Sequence, residues 1–178
     1  MAHELIDVVG WAELPWTPPT DVVLLAVGGS RRRDTAADRD QVLLAVVDRV
    51  ERARDRPVVL VSGGCAQGAD RSAELVAAAM GLTMIRFLPE PAPKGSARWV
   101  HTALLHARNS RVVGLGHDLL AQVAADRTGG TEDAVRKAHA LGKTVTLLLP
   151  DGAIVVESPP VSKRRSRGVP LMTGDTRR

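Results

Sequence analysis

Val58-Val59-Leu60-Val61-Ser62-Gly63-Gly64-Cys65-Ala66-Gln67-Gly68-Ala69-Asp70 passes from an apolar run into a glycine-rich turn and then into an alanine-rich helical segment. A short, uninterrupted apolar run predicts a strand buried on both faces, as in a parallel sheet covered by helices. Glycines directly after such a strand let backbone N–H groups come close to an anion. The helix that follows offers unpaired N–H groups at the positive end of its dipole. The spacing is not a P-loop, because no Gly-Lys-Ser/Thr ends it, and it is not a G-x-G-x-x-G fingerprint. A tight structural turn and a ligand-binding loop are both open readings of these residues.

The same grammar repeats on either side. Upstream, Val22 to Val27 is a second apolar run, ending in Gly28-Gly29. Val42, Leu43, Val46, Val47 and Val50 then recur at helical spacing and predict an amphipathic helix over 35–54, punctuated by Pro57. Downstream, Gly81 is a C-cap candidate for the helix that opens at Gly68. A strand over 82–88, a stiff proline loop, a helix over 96–115 closed by Gly116, a strand over 118–124, a helix over 130–141 and a strand over 144–149 follow. Alternating strands and helices predict an α/β, Rossmann-like three-layer domain with right-handed crossovers and a mainly parallel sheet of about five strands. Ligands of such sheets sit beyond the carboxyl ends of the strands, where the glycine-rich segments fall.

Residues 21–150 are therefore the expected domain. Residues 1–20, with Pro15, Pro18 and Pro19, read as an N-terminal arm docked by Trp11 and Trp16. Residues 151–178 read as a basic, disordered tail. That tail holds six Lys and Arg against three acids, so it carries +3 of the formal +4 and leaves the domain nearly neutral. A neutral domain is weak ground for a nucleic-acid-binding face. Aromatic residues make up only 2% of the chain, which argues against stacking successive bases.

The single cysteine, Cys65, excludes an intramolecular disulfide and a multi-cysteine metal site. His3, His101, His106, His117 and His139 show no ligand spacing, so neither a metal nor a cofactor is expected. No apolar run reaches membrane-span length and the first residues lack a signal-peptide pattern, so the expected location is cytoplasmic.

Ser62-Gly63-Gly64-Cys65-Ala66-Gln67-Gly68-Ala69-Asp70-Arg71-Ser72-Ala73-Glu74 resembles the signature loop of the SLOG superfamily. That superfamily includes DNA-processing protein A and the Lonely Guy phosphoribohydrolases. Arg108-Asn109 resembles its Arg-Asn pair, and Gly129-Gly130-Thr131-Glu132-Asp133-Ala134-Val135 its Gly-Gly-Thr loop. The likeness covers residues 22–149 and is strongest to the YspA/YpsA-like branch. It implies a Rossmann-like fold that binds a nucleotide or nucleotide-derived molecule, commonly as a homo-oligomer. It also raises two alternatives: nucleotide N-glycosidase activity, and DNA-processing-protein-A-like nucleic-acid binding helped by the basic tail. The chain departs from the hydrolases where their catalytic Glu stands, because that position is Ala134. Only Glu132 or Asp133, with Arg108, could replace it, and a glycosidase needs such a carboxylate.

The expected nucleotide-binding residues are Gly28, Gly29, Ser30, Arg31, Ser62, Gly63, Gly64, Gly68, Ala69, Asp70, Arg108, Asn109, Gly129, Gly130 and Thr131. Several have a structural reading beside the functional one. Thr131 with Glu132 and Asp133 makes an N-cap and an acidic first turn. Asp70 could cap its helix or meet a ligand hydroxyl. Arg108 could complement a helix C-terminus or hold a phosphate in a fork. Arg31-Arg32-Arg33 is either a wet charge run or an anion contact, with Arg31 nearest the strand end. Because acids at the 130s helix start would repel phosphate, phosphate is expected near Gly63-Gly64, and sugar or base near Thr131.

Overall fold

The computed structural model describes residues 3–15 and 17–158. It is an α/β fold whose elements run β1 (Leu5–Val9), β2 (Val23–Gly29), α1 (Ala36–Ala53), β3 (Val58–Ser62), α2 (Ala69–Met80), β4 (Thr83–Leu88), α3 (Arg98–Leu115), β5 (Asp118–Gln122), α4 (Gly130–Ala140), β6 (Val145–Leu148) and β7 (Ile154–Glu157). The strands form one sheet in the order β1-β4-β3-β2-β5-β6-β7. Every pair is parallel except the β6–β7 hairpin.

Period-two alternation along the central strands divides the core into two layers. Leu24, Ala26, Val59, Val61, Ile85 and Phe87 pack with Val112 and Val113 of α3 and Val135 and Ala138 of α4. Val23, Leu25, Val27, Leu60 and Met84 pack with Val42 and Val46 of α1 and Ala73 and Ala77 of α2. Valine, leucine and alanine thus fill both layers, with Phe87 the single aromatic among the buried hydrophobics.

Among the described residues the sheet has seven strands where the sequence suggests about five, and both additions are edges. β1 lies within the expected arm and pairs in register with β4, Leu5 to Met84 and Val9 to Leu88. Only Val8 of this strand is buried, and Asp7 interrupts its apolar pattern, so alternation cannot reveal it. Asp7 is held there by Arg86 of β4, at 2.7 Å from each of two guanidinium nitrogens. This strand pairing holds the arm; Trp11, expected to dock it, is exposed, and Trp16 lies outside the described residues. β7 is the second addition, just past the expected domain boundary. The rest of the expected tail, 159–178, lies outside the described residues.

The start of α1 and the end of α2 are closed by their own residues. Thr35 and Asp38 close α1 with a full capping box, and Gly81 ends α2 at φ +68°. At the far end of α3, the Lys143 ammonium donates to the carbonyls of Val113, Gly114 and Gly116, at 2.5 and 2.8 Å to the first two. No described helix is long and apolar enough to cross a membrane.

Candidate functional site

β2 lies between β3 and β5, and the chain leaves β2 toward α1 on one face and β5 toward α4 on the other. Strand order reverses at this point, and in open parallel sheets a crevice forms there beyond the carboxyl ends. A cleft of about 670 Å³ occupies it. Its walls include the segments 28–32, 63–65, 128–131 and one face of α3.

The loop after β3 is closed on itself. Asp70, buried in the first turn of α2, accepts hydrogen bonds from Ser62 Oγ at 2.6 Å and Gly63 N at 2.8 Å. Gly64 N donates to Ser62 Oγ at 3.1 Å. The amides of Gly63 and Gly64, expected to hold a phosphate, are therefore engaged inside the loop. Gly68 and Ala69 do not line the cleft. Gly68 has φ +69°, and a Cβ there would lie 2.6 Å from the Ser30 carbonyl oxygen, so it allows two backbones to touch. Asp70 acts as the internal cap of this loop.

In the loop before α4, among the described residues, no carboxylate folds back onto the glycine amides, although α2 and α4 both start at a glycine that no side chain caps. The N-cap of α4 is Gly129, at φ +86°. Thr131, expected as the N-cap, sits inside the first turn because Gly129 can take a backbone conformation that threonine avoids. Among the described residues, no acceptor meets the N–H groups of Gly130, Thr131 or Glu132. The two acids that would repel an anion here are already neutralised. Glu132 is paired with Arg127. Asp133 is buried against Arg136 and Lys137, each at 2.6 Å, and His106 at 3.1 Å. Burial pushes its carboxyl up, but the Lys137 hydrogen bond and these cations outweigh that and hold it below the ordinary value. Neither acid lines the cleft.

Arg108 and Asn109 join the two loops. Arg108 Nη1 donates to the Gly63 carbonyl at 2.8 Å, and its Nε and Nη2 donate to Asn109 Oδ1 at 3.2 and 2.8 Å. Asn109 Nδ2 then donates to the Gly130 carbonyl at 3.1 Å. A continuous chain of bonds runs from Asp70 through Gly63, Arg108 and Asn109 to Gly130. Gly63 is required by this chain, since a Cβ on it would lie 2.3 Å from Arg108 Nη1.

The arginine run after β2 is divided residue by residue. Arg33 is buried, donating to the carbonyls of Val123 and Leu148 and to Asp38 and Gln41, so it ties β5 and β6 to α1. Arg32 makes a fork to Asp126, at 2.9 and 2.7 Å, and holds that carboxyl down to about 2. Arg31 is exposed on the cleft wall and has no acidic partner among the described residues. Gly28 has nothing within 4 Å of a built Cβ and faces open space, whereas Gly29 is packed against Ala69 and Gln122.

α3 contributes residues that the loop motifs do not include. Arg98, Thr102, Leu105 and His106 line the cleft with Arg108, Asn109 and Val112. Their spacing of four, three and four from Arg98 to Asn109 puts them on one helix face, and that periodicity was the available signal. Arg98, like Arg31 and Arg108, has no carboxylate partner among the described residues. Among the described residues Asp70 is the one carboxylate lining the cleft, and it is buried. No family model, curated protein or solved structure matches the chain.

Proposed function

We propose that the cleft binds a nucleotide or nucleotide-derived anion, as a binding or sensing module of the SLOG type. The observation that carries this reading is the imbalance of charge and donors around it. Arg31, Arg98 and Arg108 border a cleft where, among the described residues, the one lining carboxylate is buried and internally bonded. The uncapped start of α4 adds backbone donors and a helix dipole on the same wall. The phosphate belongs at that start rather than at Gly63-Gly64, because the acids beside it are neutralised while the Gly63 and Gly64 amides are engaged. Arg31 and Arg108 then flank it, and the apolar patch of Leu105, Val112 and Ala134 suits a base or sugar face.

Three segments that resemble SLOG motifs border one cleft and share one hydrogen-bond chain, which supports the family assignment. The alternative of N-glycosidase activity finds no uncommitted carboxylate among the described residues of the cleft, since Asp70 is bonded within its loop and Glu132 and Asp133 are both held in ion pairs away from the lining. Nucleic-acid binding through the basic tail concerns residues outside those described.

The test is ligand-dependent thermal stability of the purified chain, which rises by mass action with any ligand of the folded state. AMP, NAD, ADP-ribose and cyclic dinucleotides are the probes. At least one is expected to raise Tm, with the increase reduced by Arg108→Ala and by Arg31→Ala. No shift with any probe at millimolar concentration, or shifts unchanged in both variants, would overturn the reading.

A further inference from the structure

We infer, on the reading that a nucleotide anion occupies the cleft, that His106 contacts that anion and becomes charged as it binds, so that binding takes up a proton. His106 lines the cleft from α3, between Thr102 and Asn109. Its Nδ1 lies 3.1 Å from Asp133 Oδ2, while its side chain is 43% exposed. Asp133 is only 4% exposed and does not line the cleft, so it holds the ring from the protein side. The backbone is fixed as well. The His106 carbonyl accepts from Lys137 Nζ at 2.8 Å and from Ser110 Oγ at 3.0 Å. Among the described residues, the ring's Nε2 has no partner.

The ring also stands close to the open start of α4. Asn109, one turn along α3, donates to the Gly130 carbonyl, and Asp133 is in the first turn of α4. His106 therefore meets α4 within about one turn, or about 5.4 Å of rise, of the amides of Gly130, Thr131 and Glu132. Thr131 is a second sign of a ligand there. It is 8% exposed and lines the cleft, yet among the described residues its hydroxyl has no partner.

Histidine changes charge between about pH 5 and 8, and a nearby anion favours its charged form. The groups around the ring leave that role to a ligand. From α4 come Asp133, Arg136 and Lys137, with both cations 2.6 Å from the carboxylate. The lining adds Arg98 and Arg108 from α3, Arg31 and Arg32 after β2, and Cys65 and Asp70 after β3. Arg32 is paired with Asp126, and Asp70 is bonded to Ser62 and Gly63. Asp133 already serves two cations, so further negative charge beside the ring comes from the bound anion. Affinity is then highest in mild acid and falls as pH rises through the histidine's range.

Titration calorimetry on the full chain tests this. The parent and His106→Gln are titrated with AMP, NAD, ADP-ribose and cyclic dinucleotides at about pH 5.5 and about pH 8. Any ionisation of the probe itself is common to both proteins and cancels between them. For a probe that binds, the parent should gain about tenfold more affinity than the variant on acidification, as one hydrogen bond from a charged group gives. The heat of binding should also depend more on the buffer's ionisation enthalpy in the parent, because a proton is taken up. Cys65→Ser removes the other thiol or imidazole on the described lining and should leave this pH dependence in place. Equal pH ratios in parent and His106→Gln, equal buffer dependence of their heats, or a pH dependence lost with Cys65→Ser would each overturn the inference while nucleotide binding stood. No binding of any probe at either pH would overturn that reading and the inference with it.

Discussion

The loops over 62–70 and 128–133 both carry paired glycines into a helix that no side chain caps, yet only the first engages its glycine amides within the loop. In the first, the Asp70 carboxylate folds back onto Ser62 and Gly63 and closes the loop. In the second, Glu132 and Asp133 turn away to Arg127 and to the Arg136, Lys137 and His106 group, leaving the helix start open. The same ingredients, glycines and acids near a helix N-terminus, thus build a rigid support in one place and a receptive surface in the other. What separates them is whether a carboxylate finds the loop amides or finds a cation.

Removing the closing carboxylate should give the largest effect. Asp70→Ala leaves the buried Ser62 hydroxyl and Gly63 N–H without their acceptor, at a cost of about 4 kcal/mol for two unsatisfied donors. Glu132→Ala removes a partly exposed ion pair and should stay within about 0.5 kcal/mol. Denaturant unfolding of the two variants measures the difference. Equal losses would erase the distinction between a closed and an open loop.

The N-cap glycines give the next contrast. Gly68 and Gly129 both have positive φ, so alanine is strained at either. Gly129 faces open space, so Gly129→Ala should cost only the backbone strain, about 1 kcal/mol. Gly68→Ala also drives a methyl into the Ser30 carbonyl and should cost about 3 kcal/mol. A Gly129 variant as unstable as the Gly68 variant would mean that the α4 start is packed rather than open.

Legibility followed burial. The five central strands repeat apolar residues because both faces are covered, and each was readable from sequence, as were the four helices. β1 and β7 were not, because an edge strand with one or no buried side chain leaves no alternation to read. In the site, glycine positions were legible but the direction of their amides was not. Nothing in Gly63-Gly64 announces that Asp70, seven residues beyond Gly63, takes the first amide. Likewise Arg31, Arg32 and Arg33 are chemically identical in sequence. Only the fold makes one buried, one paired and one exposed on the cleft wall, since Asp126 and the Val123 and Leu148 carbonyls arrive from the ends of β5 and β6.

Acid should weaken the open side through Asp133. Its folded carboxyl lies below the ordinary 3.8, so the group contributes stability that is complete above that value. The contribution is lost as pH falls through the lower folded value. Asp133→Asn should therefore be less stable than the parent at neutral pH, with the gap closing as the solution is acidified into the range below 3.8. Unfolding midpoints across that range test this. A gap that stays constant with pH would show that the ion pairs of Asp133 do not set the stability of the α3–α4 contact.

The smallest change in stability should come from Gly28, and it is the sharpest probe of the open side. Gly28 and its neighbour Gly29 end the same strand, but a methyl on Gly29 would meet Ala69 and Gln122 at under 3 Å, whereas one on Gly28 meets nothing within 4 Å. Gly28→Ala should thus keep its stability within about 0.5 kcal/mol. The added methyl still occupies the cleft wall beside Arg31, so the thermal shift produced by a nucleotide probe should shrink. Gly29→Ala should lose stability first, by about 1 to 3 kcal/mol from overpacking. If Gly28→Ala left every ligand shift intact, the phosphate would have to sit nearer α4 and away from the end of β2. The effective walls of the site would then be Arg98, Arg108 and the Gly129-Gly130-Thr131 turn.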